Sequence, residues 1–395
     1  MASSPVMAKL DAKAGARERV DAERQQLIAL SHRIHAHPEL GFEEERAAAW
    51  LGTALADAGF AVERGTCELP TAFRARVGNG PLHLAICAEY DCVPAIGHAC
   101  GHNIIAASAV GAALALARVA DDVGLTVTVV GTPAKENGGG KILLLKRGAF
   151  AGVHAAMMVH PTPTDVLELP IIAASHFEVR YTGKEAHASA FPERGINAAD
   201  ALTVAQTAIG LLRQHIRPAD RIHGIITKGG DAPNVVPAHT AAQYIVRAQT
   251  LDELGEIHSK VLRCFEAGAL ATGAKLEVIG GQKPYAEMRH DPEMAVLYRH
   301  NAEALGRTFP DPNAALQRAA ASTDMGNVSL ALPAIHPAIG INSLPAVNHQ
   351  PEFTAHCVTA AADKALVDGA LAMAWTAIDL ATNAQVREHL LRGPV

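Results

Sequence analysis

Hydrophobic and polar positions follow two styles along the chain, and the change falls at Pro170. Before it, helical periodicity alternates with short continuous apolar runs. From about Arg17 to His35 the pattern is helical and stops near His37-Pro38. Glu43 to Asp57 reads as a second helix, closed by Gly59. Strand-like runs follow at Phe60–Arg64, Ala72–Val77 and Leu82–Cys87. Ile104 to Ala120 is long and apolar, which predicts a buried helix. Leu125–Val130 is a continuous run rich in β-branched residues and Ala155–Val159 an apolar one, as expected of strands buried on both faces. Between them Gly138-Gly139-Gly140 breaks the chain, and Lys141 to Arg147 reads as a helix. Alternating strands and helices predict a mostly parallel α/β sheet.

After Pro170 the style changes. Ile172–Tyr181 alternates like a half-exposed strand. A helix (Asn197–His215), two strands (Ile222–Thr227 and Thr240–Ala248), an amphipathic helix (Leu251–Leu270) and a strand (Lys275–Ile279) come next. That order is βαββαβ, a small α+β sandwich. From about Pro292 the helix-rich α/β style returns, with a long helix from about Val358 to Thr382. The expected architecture is an α/β domain in two pieces, 1–171 and 286–395, interrupted by an α+β insertion at 172–285.

Composition narrows the function classes. The chain has 395 residues, enough for two domains, and a formal net charge of −6, which offers no basic face for nucleic acid. The six cysteines are scattered and none forms a CxxC pair, so no disulfide framework is expected. The first residues lack a basic stretch followed by an apolar one, and no uninterrupted apolar run reaches the roughly 18 residues of a membrane span. The expectation is a cytoplasmic protein without a membrane partner. The 20 histidines change the picture most, because histidine is the commonest metal ligand and a frequent acid–base group.

The densest polar cluster runs from Cys87 to Asn103: Cys-Ala-Glu89-Tyr-Asp91-Cys-Val-Pro-Ala-Ile-Gly-His-Ala-Cys100-Gly101-His102-Asn. It follows one buried strand and precedes a buried helix, at the kind of strand end where α/β sheets hold ligands. Cys100 and His102 offer a thiolate and an imidazole across a glycine, both good ligands for zinc-like ions; a small core cysteine and a helix-capping histidine are the competing reading. The next strand ends in Gly-Thr-Pro-Ala-Lys135-Glu136-Asn-Gly-Gly-Gly-Lys141, which places Glu136 as a carboxylate ligand. Its glycines do not have phosphate-loop spacing, and no Ser or Thr follows Lys141. His160-Pro161 ends the following strand, and His349 lies in a loop before a helix.

Together these motifs resemble the twentieth metallopeptidase family, the metal-dependent aminoacylases, glutamate carboxypeptidases, auxin-conjugate hydrolases and aminobenzoyl-glutamate hydrolases, and most of all the branch holding the last two. The matching stretches are His35-Ala-His37-Pro-Glu39-Leu-Gly-Phe-Glu-Glu44, Glu89 to His102, Pro133 to Gly139, His160-Pro161, Gly183-Lys-Glu-Ala-His187-Ala-Ser189, Asn234-Val-Val-Pro237 and His349-x-Pro-x-Phe353, from about residue 30 to 355. The resemblance implies a mostly parallel-sheet metallopeptidase catalytic domain with the βαββαβ insertion as lid and dimerisation domain. It implies two divalent ions (Zn, Mn, Ni or Co), a bridging Cys100, and His102, Glu136, His160 and His349 as the remaining ligands. Asp91 would orient a ligand histidine. A thiolate bridge would make the site sensitive to oxidation. His187 would stabilise the oxyanion, coming from the neighbouring subunit of a homodimer, and Asn234 with Arg247 would hold a substrate carboxylate. A surface histidine and an ordinary arginine ion pair are the bland alternatives. His35, His37 and Glu39 match without a chemical duty. Ser322-Thr323-Asp324 precedes a predicted helix that Asp324 or Ser322 is expected to cap, and the resemblance also places this run near the substrate pocket.

One position departs from the pattern. The family motif Pro-Ala-Glu-Glu carries the general base at its first glutamate, and here the run is Pro133-Ala134-Lys135-Glu136. Three readings stand: a base deliberately removed from an active enzyme, a natural variant with lost or altered activity, or a neutral Lys135 acting as base beside two cations. The implied reaction is cleavage of the amide of an N-acyl amino acid or dipeptide by a metal-activated water; the rival is a catalytically silent relative that binds such a ligand.

Overall fold

The computed structural model describes residues 5–310 and 321–393. Among these residues the strands are β1 (Ala61–Arg64), β2 (Phe73–Val77), β3 (Leu82–Ala88), β4 (Leu125–Gly131), β5 (Ala155–Met157), β6 (His160–Thr162), β7 (Ala173–Thr182), β8 (Arg221–Lys228), β9 (His239–Ala248), β10 (Lys275–Gly280), β11 (Ala334–Ile335) and β12 (Ala338–Gly340). The chain forms two compact units, one from residues 1–170 and 288–395, the other from 171–287. The sequence pattern sets these boundaries at 171/172 and 285/286.

The first unit is built on a six-stranded sheet of order β1-β2-β4-β3-β5-β11. β4, β3, β5 and β11 run parallel; β1 and β2 add an antiparallel edge. Every residue of β4 is buried, which fits its run of β-branched residues. The helices Pro5–His35, His102–Ala117 and Ala360–Thr382 pack on one another as a layer against this sheet. Small residues allow the close approach: a Cβ on Gly111 would sit 2.9 Å from Ala370 Cβ. The helix Ala360–Thr382 is long and apolar enough to cross a membrane by length and composition, yet its apolar window is 94% buried inside this unit. It is a core helix.

One expectation from the sequence needs correction. The apolar run Ala155–Val159 predicts a single strand ending at His160, but the ladder breaks after Met157 and His160 opens β6 instead. β5 pairs with β11, and β6 pairs with β12, with Ala338 opposite His160. His336-Pro337 separates β11 from β12, and since proline cannot continue a ladder the pairing shifts there. The helices also start at different residues: the first begins at Pro5, the second at Glu45, and the long C-terminal one at Ala360.

The second unit keeps the expected βαββαβ order. Its antiparallel sheet, β10-β7-β9-β8, is joined by the helices Ala198–Leu212 and Leu251–Thr272. Leu254, Ile257, Val261, Cys264, Phe265 and Gly268 form the buried stripe of the second helix at three- and four-residue spacing. Asn197 and Thr250 cap the two helices through their side chains. β8 is an edge strand, with Ile225 64% and Ile226 50% exposed.

Candidate metal centre

The site is assembled at the chain breaks that follow β3 and β4 and at the start of β6. β3 leads into the loop carrying Glu89, Asp91, Cys100 and His102, and His102 opens the helix His102–Ala117. Gly101 makes this junction possible. It has φ +69°, and a Cβ there would lie 2.9 Å from the Pro161 ring, so a side chain would be both strained and crowded. After β4, Ala134 takes φ +54°, and His349 takes φ +69°; two non-glycine residues in the left-handed region flank the ligands.

Two groups of ligand atoms result, Cys100–His102–His160 and Cys100–Glu136–His349, each with its atoms within 4.8 Å of one another. They share Cys100. The sequence assigns these five residues to one site, and the first unit brings them together. Cys100, His102 and His160 are buried, whereas the His349 side chain is 58% exposed.

The imidazoles are aimed by their second nitrogens. His102 Nδ1 lies 2.8 Å from the Asp91 carbonyl and 2.9 Å from Asp91 Oδ1, and its buried Nε2 has no hydrogen bond. His160 Nδ1 is likewise engaged, 2.9 Å from Pro161 O. Asp91 Oδ2 accepts from the Glu136 backbone N–H at 2.9 Å, so one carboxylate orients both ligands. A buried nitrogen left unpaired while its ring is fixed by a carboxylate is how a metal-binding histidine is built, and a thiolate–imidazole–carboxylate set suits zinc-like divalent ions. Burial pushes the Cys100 thiol up, so its thiolate form requires a neighbouring cation. Asp91→Ala is therefore expected to weaken divalent-ion affinity about 10–100-fold. Competition against a metallochromic chelator measures this, and unchanged affinity would remove Asp91 from its orienting role.

Lys135 occupies the same space. Its side chain is 8% exposed, and Nζ lies 3.4 Å from Glu136 Oε1, the oxygen that is also 3.3 Å from His102 Nε2. Burial works against the ammonium charge, but Glu136, Cys100, Glu89 and Asp91 outweigh it and hold Lys135 above the ordinary lysine value. Burial likewise opposes ionisation of Glu136, yet Lys135 and His102 keep it well below the usual carboxylate range. Burial and then Lys135 push His160 down to about 3, which leaves its imidazole neutral.

Beneath the ligands lies a charge network with no counterpart in the sequence reading. Lys141, wholly buried, donates from Nζ to Glu89 Oε1 at 2.5 Å and to Asp324 Oδ1 at 2.9 Å. Its backbone N–H donates to Asp324 Oδ2 at 2.8 Å. Asp324 is thus a partner of Lys141 and makes no capping hydrogen bond to the helix Met325–Ala331; Thr323 Oγ1 accepts from Met325 N instead. The other Glu89 oxygen stands 3.4 Å from His102 Nε2. His336 also escapes the sequence reading. It is fully buried, its ring centroid is 5.4 Å from that of His160, and burial lowers it into the neutral form. The only sequence signal for Lys141 is a cation opening an otherwise apolar helix.

The motif residues without an assigned duty turn out structural. His35 Nε2 lies 2.9 Å from Thr354 O, the carboxylate of Glu39 accepts from the N–H groups of Arg46 and Ala47, and Glu44 accepts from Ala134 N at 2.7 Å. His187, Asn234 and Arg247 lie in the second unit. There the Asn234 carbonyl accepts from Ala188 N at 3.0 Å, His187 Nδ1 accepts from Ala190 N at 3.3 Å, and Arg247 stands opposite Arg221 in the β8–β9 pair.

Known proteins match both units. Residues 173–272 match the peptidase dimerisation domain. The mouse Xaa-Arg dipeptidase is 38% identical over 383 residues, 93% of this chain and 88% of that protein. One of the subunits of the Escherichia coli p-aminobenzoyl-glutamate hydrolase is 33% identical, covering 65% of this chain and 58% of its own. Among solved structures, a dinuclear metal-binding peptidase of the M20 family from Bacillus subtilis superposes with a TM-score of 0.68 at 21% identity, over 91% of this chain and 99% of that one.

Proposed function

Because the chain belongs to the M20 family of metal-dependent peptidases and amidohydrolases, we propose that it acts on the amide of a dipeptide or N-acyl amino acid at the Cys100 centre. The observation that carries this reading is the pair of ligand groups meeting at one buried thiol. Divalent metal held there would supply a Lewis acid for the amide carbonyl and an acidified water. The chain's own residues do the rest. Asp91 fixes His102 and Glu136, Lys141 fixes Glu89, and the burial of Cys100, His102 and His160 excludes bulk water from the ligands. The reading takes His187 as oxyanion donor and Asn234 with Arg247 as holders of the substrate carboxylate, on the motifs they occupy. Full-length likeness to a dipeptidase supports dipeptides ahead of larger peptides.

Lys135 favours a second reading, a relative that keeps the centre but turns over poorly. An ammonium has no lone pair to take a proton from water. It also repels metal: unit charges 4 Å apart interact by about 4 kcal/mol at an effective dielectric near 20, and a divalent ion doubles that. The test is hydrolysis of a panel of Xaa-Arg dipeptides, N-acetyl amino acids and aminobenzoyl-glutamate by zinc- or manganese-loaded protein, both unaltered and as Lys135→Glu. Cleavage by either form supports the amidohydrolase; no product from either form overturns it.

The homodimer is proposed to form through the second unit. β8 leaves a free strand edge with Ile225 and Ile226 toward solvent, and the matched dimerisation domain includes it. Ile225→Lys together with Ile226→Lys is expected to weaken self-association about tenfold or more in sedimentation equilibrium. A monomeric unaltered chain would overturn this.

A further inference from the structure

Lys135 does not swing away from the ligands; it sits among them. Its Nζ pairs with Glu136 Oε1 at 3.4 Å, and Glu136 is the carboxylate of the Cys100–Glu136–His349 group. The Cys100–His102–His160 group is complete without Glu136. All three of its residues are buried, and its two imidazoles are already aimed by Asp91 and Pro161. The two groups thus differ in what a cation would meet. One offers a buried thiol and two buried imidazoles, a soft set suited to zinc; the other offers a carboxylate that an ammonium already faces.

Charge counting sharpens the difference. Exchanging lysine for glutamate at this position changes the local charge by two units, which is the charge of one divalent ion. We propose that the Lys135 ammonium takes the cation position served by Glu136, so that this chain holds one divalent ion per protomer, at Cys100, His102 and His160. The inference rests on the metal-centre reading above and deepens it: the residue at 135 sets how many ions the centre holds. The carboxylate cannot serve both partners at full strength, because an ion entering the second group must draw Glu136 away from Lys135 while approaching a fixed positive charge.

The test counts ions. Protein stripped with chelator is equilibrated by dialysis against micromolar zinc, and zinc per chain is measured by mass spectrometry. The unaltered chain, Lys135→Met and Lys135→Glu are compared. The methionine variant removes the charge without adding a ligand. One zinc in the unaltered chain and two in both variants is the expected result. Two in the unaltered chain, or one in all three forms, overturns the proposal. Should a variant fail to fold, zinc anomalous scattering from crystals of the unaltered chain decides. One peak beside His102 and His160 supports the proposal, and a peak beside Glu136 and His349 overturns it. A count rising from one to two without amide hydrolysis by either the unaltered chain or Lys135→Glu sinks the functional reading and leaves this one standing. No zinc in any form sinks both.

Discussion

Lys135→Glu is expected to raise amide turnover by about 10²–10⁴-fold over the unaltered chain, the range associated with a positioned general base. The structure supplies the geometric half of the argument. The residue 135 side chain is enclosed beside Glu136 Oε1, on the Cys100 centre, so a carboxylate there would stand next to any water held between the ligand groups. The chemical half is protonation: every charged neighbour that outweighs burial holds Lys135 as an ammonium, which can give a proton but not take one. Lys135→Met separates the contributions. It removes the repulsive charge and supplies no base, so its rate should fall well below that of Lys135→Glu. Steady-state rates on one cleaved substrate with saturating zinc measure the difference. Equal rates for the unaltered chain and Lys135→Glu would defeat the base assignment, and equal rates for Met and Glu would reduce it to a charge effect.

The largest stability effect is expected at Lys141. Lys141→Met leaves Glu89 and Asp324 buried without their cation, and removing one partner of a buried ion network costs about 3–5 kcal/mol. That is a large fraction of the roughly 5–15 kcal/mol by which folded domains are stable. Denaturant melts followed by tryptophan fluorescence report on the first unit, since Trp50 and Trp375 both lie there. The sign of the pH dependence follows from the charges. Burial holds Asp324 above its ordinary value even with Lys141 beside it, and removing the ammonium raises it further. Its protonated form is then favoured by folding, so the deficit should shrink as pH falls through that window and grow as pH rises. Adding Glu89→Gln and Asp324→Asn should recover most of the loss. A cost below about 1 kcal/mol for Lys141→Met alone would show that the network does not carry the site.

Strand positions in the sequence are legible where burial imposes a continuous β-branched run, as in β4, or alternation, as in β7. Cys100, His102, Glu136 and His160 are legible because each ends or follows such a run, and a strand end delivers its next residue to a shared edge. The break between β5 and β6 is not legible, because it is set by Pro337, between two partner strands far along the chain. Asp324 misleads for a similar reason. Its local context is that of a cap, but its partner, Lys141, lies 183 residues away. The direction of the Lys135 side chain is also hidden from the sequence. A long ammonium beside a cation site can point outward to water or inward to carboxylates, and its burial against Glu136 settles it inward.

The layer formed by His102–Ala117 and Ala360–Thr382 carries a consequence for biosynthesis. Ser108 Oγ donates to Leu366 O across 258 residues, and the face of the Ser108 helix that packs on Ala360–Thr382 is covered only when that later helix arrives. At about 5–20 residues per second, the ribosome leaves that face uncovered for roughly 10–50 s. During that interval the inserted unit can complete its own sheet and core, while the first unit exposes an alanine- and leucine-rich surface. The nascent chain is therefore a natural client for holding chaperones. Truncation before Ala360 should yield a folded insertion attached to an aggregating remainder.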